Sequence, residues 1–193
     1  MKSKFILLIC AIVILALGGI IYVLRTTKSA EIFSNFESNN KHKPSATMAL
    51  TPNSGTHKVS DIFDVKIMLN TNDNEVVGAQ TYLEYDPAQL EVQDQNADMA
   101  GVQILGGTIF GNQMTNKVEN GKITFSAGIP MGSPKYAGTG SLAVIKFKAL
   151  TASTSNVTFN FMPGSTADTT LVGMDSENQN ILTNVADASF VIK

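Results

Sequence analysis

The sequence has no tryptophan, two histidines and a single cysteine, Cys10, which lies in an apolar run near the start. Beyond residue 45 it has no cysteine and no arginine at all. The first absence excludes a disulfide framework there, although a domain of this size can hold its core without one. The second, with eight lysines against fourteen acids over 46–193, leaves a formal charge of −6. An acidic domain without arginine cannot offer the clustered cations that phosphate neutralisation needs, so nucleic acid is excluded as a partner. With only His42 and His57 to supply imidazole, a shared base or metal role has little to draw on. The expected cofactor is none, the expected metal is none, and no Gly-x-Ser-x-Gly elbow is present.

What is abundant is apolar sequence at one end and alternating sequence at the other. Phe5 to Leu24 runs twenty residues without a charge. As a helix it would cover about 30 Å, the thickness of a bilayer core. A cleaved leader would have a shorter apolar region ending in small residues, whereas Lys28-Ser29-Ala30 puts a charge at that place. The reading is a tail over 1–4, a transmembrane signal-anchor helix over 5–25 that contacts the lipid bilayer, and a flexible polar tether over 26–45. Basic residues flank both ends of the run, so charge alone does not set its direction. The short tail and polar tether place the following domain outside the membrane, as a surface module.

From residue 46 on, period-two alternation dominates. Phe63, Val65, Ile67 and Leu69 share one face of a strand over 61–70. Val77, Ala79, Thr81, Leu83 and Tyr85 form a second inward face, with Gly78, Gln80, Tyr82 and Glu84 opposite. Asp86-Pro87 ends that strand, because proline removes a ladder donor. Leu90 to Val92 is a short strand, and 103–110 a weaker one broken at Gly106-Gly107. Glu119-Asn120-Gly121-Lys122 signals a hairpin, since Asn-Gly tolerates positive φ at both turn positions. The strand after it turns Ile123, Phe125 and Ala127 inward and Thr124, Ser126 and Gly128 outward. Further strands are expected at 141–150, around Val157 to Phe161, at 169–174 and from Ala188 to Ile192. About nine short strands without a helix indicate an all-β, two-sheet sandwich over 46–193, preceded by the one transmembrane helix.

Candidate chemistry is sparse. Gly138-Thr139-Gly140-Ser141-Leu142-Ala143 fits a loose dinucleotide fingerprint, but a strand follows it where a helix is required. Asn72 to Glu75 and Asp94 to Asp98 offer oxygens for Ca²⁺, yet neither has the glycine and terminal glutamate of a calcium loop, and both read as solvated turns. Glu84 with Glu119 is a conceivable carboxylate pair, although strand-edge acids ordinarily serve solubility. No catalytic residue is assigned, and the domain is expected not to be an enzyme. Tyr82, Met114 and Met131 are candidates for an exposed apolar patch.

Several segments arrive in a familiar order. Val76-Val77-Gly78-Ala79 leads into Tyr82-Leu83-Glu84-Tyr85-Asp86-Pro87 and Leu90-Glu91-Val92. Later come Gly121 to Ala127 and Gly138-Thr139-Gly140-Ser141-Leu142-Ala143-Val144-Ile145-Lys146-Phe147. The chain thus resembles the cohesin domain across about residues 47–193. The resemblance implies a nine-stranded jelly-roll related to cellulose-binding modules. It also implies docking of a dockerin-like protein in a system tied to polysaccharide degradation. The implied partner-binding face is Gly78, Gln80, Tyr82, Glu84, Thr124, Ser126 and Gly128. The pattern departs where type I cohesins tend to carry an Asn, an Asp and an acid: Gly78, Gln80 and Gly128 stand there. A carbohydrate-binding module, with polysaccharide as partner and Tyr82 and Tyr136 as stacking residues, and a structural envelope or adhesion domain are the alternatives.

Overall fold

In this computed structural model the described residues are 45–167, 169–173 and 180–193. The expected tail, anchor helix and all of the tether except Ser45 lie outside them. Among the described residues no helix is long and apolar enough to cross a membrane.

Among the described residues thirteen strands make two sheets. They are β1 (Ala46–Thr51), β2 (Ser54–His57), β3 (Ile62–Asn70), β4 (Gly78–Tyr85), β5 (Leu90–Val92), β6 (Leu105–Gly106) and β7 (Asn112–Glu119). They continue with β8 (Lys122–Gly128), β9 (Thr139–Ala149), β10 (Ser153–Phe159), β11 (Leu171–Gly173), β12 (Leu182–Ala186) and β13 (Ala188–Ile192). One sheet has the order β12-β1-β3-β9-β5, with β6 also on β9; the other has β2-β13-β10-β4-β8-β7, with β11 also on β4. The pairs β1–β12 and β2–β13 are parallel and the rest antiparallel.

The alternation predicted for β3, β4, β8 and β13 sets the core. Val65, Ile67 and Leu69 from β3 are buried, as are Ala79, Thr81 and Leu83 from β4. Ile123, Phe125 and Ala127 face them from β8, and Ala188, Phe190 and Ile192 from β13. At about 25 cal/mol per Å² of apolar surface, this shared interior is the main force holding the sheets together. Val77 is a correction: the buried residue is Val76, bridged to Tyr136, while Val77 is half-buried. The alternation breaks just before β4 because Val77 turns its backbone to Gly173 and Ile129.

More strands are present than the nine expected. β2 is Ser-Gly-Thr-His and has no apolar face of its own; it is a strand because β13 runs parallel beside it. In β9 the register against β3 slips between Ile67 and Met68, so Leu142 is an extra residue. Leu142 and Ala143 are consequently both buried, which strict alternation forbids. The dinucleotide-like segment runs into this strand from Thr139, so it cannot form a phosphate-binding turn before a helix.

The Asn120-Gly121 hairpin forms as expected, with φ of 51° and 76° at the two turn residues and Glu119 opposite Lys122. It joins β8 to β7, the edge strand of its sheet. Residues 43–193 make one compact unit.

Candidate functional site

The seven predicted face residues come together. Antiparallel pairing of β4 with β8 sets Gly78 opposite Gly128, Gln80 opposite Ser126 and Tyr82 opposite Thr124, while Glu84 faces Lys122. Alternate residues of a strand share a face, so these four pairs form consecutive rungs on the side away from the core. β7 extends the rungs: Lys117 lies beside Thr124, Thr115 beside Ser126 and Glu119 beside Lys122.

The rungs differ in what they show to solvent. Glu84 is exposed, and Gln80, Tyr82 and Thr124 are half-buried. Ser126 is 5% exposed and Gly128 is also buried. These two are outward by register but are not available surface, which corrects the expectation for them. A bulge in β7 between Gln113 and Thr115 inserts Met114, whose methyl group lies 3.4 Å from where a Gly128 Cβ would be. The bulge, invisible to simple alternation, puts Met114 over the glycine end.

Tyr82 is held at a gap in its sheet. β10 pairs with β4 as far as Leu83, and β11 joins at Gln80. Between them the Thr170 hydroxyl accepts from the Tyr82 N–H at 3.0 Å and donates to its carbonyl at 3.2 Å. The Asn160 N–H also donates to that carbonyl, at 2.8 Å. Tyr82, Glu84, Lys122, Thr124 and Asn160 line a shallow depression of about 250 Å³.

Charges gather at one end. Lys122 lies 3.5 Å from Glu84, and Lys117 lies 2.6 Å from Glu119, all four exposed. Lys122 stands between Glu84 and Glu119 in the register, and each carboxylate has its own lysine. This is an arrangement of solvent-exposed ion pairs, which fits strand-edge acids better than a carboxylate pair prepared for glycosidic cleavage.

At the other end Gly173, Gly78 and Gly128 lie side by side across β11, β4 and β8. A Cβ on Gly78 would come within 2.9 Å of the Ala127 carbonyl, and one on Gly128 within 2.9 Å of the Val77 carbonyl. The strands approach too closely here for side chains, so the departure from the type I pattern at these positions is built into the backbone.

The remaining candidates differ in how they sit. Met131 is fully exposed and Met114 is 63% exposed, so the methionines form exposed surface while Tyr82 is half-covered. Tyr136 is half-buried and packs in a T-shaped pair with Phe110 at 5.8 Å, so much of its ring is spent on the core. Tyr85 packs on Phe147, and burial followed by the Glu91 charge pushes its phenol up. His57 stacks flat on Phe63 at 3.8 Å, and His42 lies outside the described residues. In the Asn72 to Glu75 turn, Asn72, Asp73 and Glu75 are exposed and Glu75 pairs with Lys135, but Asn74 is buried and its amide donates to Thr71 and Ser45, so the turn is only partly solvated.

Residues 47–192 match the cohesin domain. The chain belongs to the cohesin family. Solved structures agree on the fold. A type II cohesin from the cellulosome of Acetivibrio cellulolyticus is 23% identical, with a TM-score of 0.59 over 76% of this chain and 95% of that one. A non-cellulosomal cohesin from the archaeon Archaeoglobus fulgidus is 19% identical, with a TM-score of 0.56 over 79% and 92%. The third cohesin ScaC of Acetivibrio cellulolyticus, solved with the ScaB dockerin in a type I interaction, is 18% identical, with a TM-score of 0.58 over 77% and 99%. No match was found among curated proteins. Cohesin domains are non-catalytic scaffolding modules.

Proposed function

We propose that this cohesin is a non-catalytic docking module that binds a dockerin-like protein on the outward face of β4, β8 and β7. The observation that carries the reading is the register itself. Gln80, Tyr82, Glu84 and Thr124 lie on adjacent rungs of one face, centred on a tyrosine whose backbone is fixed from both sides. A rigid, half-buried tyrosine ringed by polar groups is the kind of anchor on which protein interfaces concentrate their energy. Two similar solved cohesins are complexes, CaCohA2 with CaDoc0917 and the third cohesin ScaC with the ScaB dockerin, and docking of such modules would tie this protein to polysaccharide-degrading enzymes. In this proposal the segment 5–25 anchors the module in a membrane and the tether holds it on the outer side. Protease treatment of intact cells checks the placement: cleavage of the domain before lysis supports it, and survival until lysis refutes it.

The binding test uses the full chain in detergent, titrated calorimetrically with purified dockerin modules from the same organism. A saturable complex weakened by about 2 kcal/mol on Tyr82→Ala is expected, about thirtyfold in affinity. No complex with any of them, or a complex indifferent to Tyr82→Ala, would overturn the reading.

A further inference from the structure

The sheet ordered β12-β1-β3-β9-β5 has an outward face of its own, on the far side of the sandwich from β4, β8 and β7. Alternation fixes what that face carries. From β3, Ile62, Asp64, Lys66 and Met68 point outward, between the buried Val65, Ile67 and Leu69. From β9, Val144, Lys146 and Lys148 do so, between the buried Ala143, Ile145, Phe147 and Ala149. Pairing sets Ile62 opposite Lys148, Asp64 opposite Lys146 and Lys66 opposite Val144. The short strands add Glu91 beside Lys148 and Leu105 beside Val144. Lys148, Lys146 and Lys66 thus occupy three consecutive rungs, each about 7 Å from the next.

Charge is segregated onto this face. The six strands of the sheet hold three lysines and two acids, while the rest of 46–193 holds five lysines and twelve acids. One side of an acidic domain is therefore positive. Lys146 lies 3.9 Å from Asp64, at the limit of pairing, and Lys66 and Lys148 enter no ion pair among the described residues. Among the lysines stand uncovered aliphatic side chains: Ile62 is 57% exposed and Leu105 53%. Met68 and Val144 are half-buried beside them. A soluble polyanion would use the lysines and leave Ile62 and Leu105 in water. The boundary of a bilayer takes both, because amines meet phosphate there while their stems and neighbouring aliphatic groups enter the apolar layer.

We propose that this face rests on the headgroups of an anionic bilayer, with Lys66, Lys146 and Lys148 on lipid phosphates and Ile62 and Leu105 dipped beneath them. This use of the face depends on segment 5–25 being a membrane anchor, as proposed above. The chain enters this same sheet, since Ala46 opens β1. Residues 26–45 reach at most about 70 Å whatever their path, so the face stays near the bilayer. Each lysine adds about fivefold to binding at an anionic surface. That is too little for a free protein and enough for one tethered at an effective concentration of about millimolar. The docking face, on the other sheet, then points away from the membrane and toward a soluble partner.

The chain has no tryptophan, so a single introduced one reports its own surroundings. Full-length protein carrying Leu105→Trp, or Thr115→Trp on the docking side, is placed in nanodiscs of phosphatidylcholine alone or mixed equally with phosphatidylglycerol. In mixed discs Leu105→Trp should shift to the blue and lose about half its emission to brominated lipid, and Thr115→Trp should do neither. Lys66→Gln, Lys146→Gln and Lys148→Gln together, or about 1 M salt, should return Leu105→Trp to its value in phosphatidylcholine. The triple variant should keep the wild-type urea midpoint, since these side chains lie outside the core. Equal quenching at the two positions, none at Leu105→Trp, or quenching indifferent to phosphatidylglycerol and to the lysines would overturn the proposal. So would a blue shift produced by soluble polyphosphate and not by lipid, which would make the face a polyanion site. The two readings fail separately. A chain that does not co-elute with the discs refutes the anchor and this use of the face with it, whereas co-elution without quenching refutes the face alone.

Discussion

The two ends of the β4–β8 ladder are built from the same pair of strands and the same pairing rule, yet they are opposites. At one end Glu84 and Lys122 reach into solvent and pair loosely across the rung. At the other, Gly78 and Gly128 bring bare backbones so close that no Cβ fits between them, with Met114 leaning over from the bulge in β7. The charged end can be altered at little cost to the fold, whereas the glycine end is part of the fold. Under the proposed docking role, contacts on this face could vary freely at one end and only by reshaping the backbone at the other. A polar contact of the type I kind cannot be restored at Gly78 or Gly128 by exchanging a side chain alone.

The largest way to break the comparison is to remove what both ends share. Phe125 lies on β8 between them, turned inward and fully buried. Phe125→Ala should cost about 3–5 kcal/mol through lost transfer energy and the cavity left behind. Urea unfolding should show a lower midpoint with little change in slope. An unchanged midpoint would mean that the two sheets are not held by this interior.

The next effect separates the ends. Glycine inside a strand is ordinarily a weakness, and alanine there improves stability by about 0.5–1 kcal/mol. At Gly78 and Gly128 the sign should reverse, because the new methyl group meets a carbonyl oxygen at 2.9 Å. Gly78→Ala and Gly128→Ala should each destabilise by about 1–3 kcal/mol, as over-packing does. Thr124→Val, on the open rung beside Tyr82, should change stability by less than about 0.5 kcal/mol. Equal costs at all three positions in the same urea assay would erase the distinction between the ends.

How much of this was legible in the sequence depends on what each segment has to bury. β3, β4, β8 and β13 have a clear apolar face, so their period, their inward residues and the pairing of the candidate face could be read from alternation alone. The hairpin was legible because Asn120-Gly121 is needed at positive φ. β2 and β12 were not legible, because Ser54–His57 and Leu182–Ala186 become strands by parallel pairing with distant partners, a non-local cause. The same limit explains the site. Alternation correctly turned Ser126 and Gly128 outward, but the covering of Gly128 by Met114 follows from a one-residue bulge in another strand. The tight approach at the glycine pair depends on the path of two backbones, which no single strand encodes.

The smallest effect sharpens the comparison from the charged end. Glu84 and Lys122 are 3.5 Å apart, with side chains 54% and 69% exposed, so water and salt screen most of their attraction. A double-mutant cycle with Glu84→Gln and Lys122→Met should give a coupling of about 0.2–1 kcal/mol at low salt, fading toward zero near 1 M salt, where the screening length is about 3 Å. The pair should matter more to encounter than to folding. Rim charges act mainly on the association rate, so each single variant should alter the on-rate for a dockerin-like partner, and the alteration should shrink as salt is added. If the cycle instead gave a coupling of several kcal/mol that salt did not touch, the charged end would be as structurally committed as the glycine end. The contrast between a replaceable end and a fixed end of this face would then be lost.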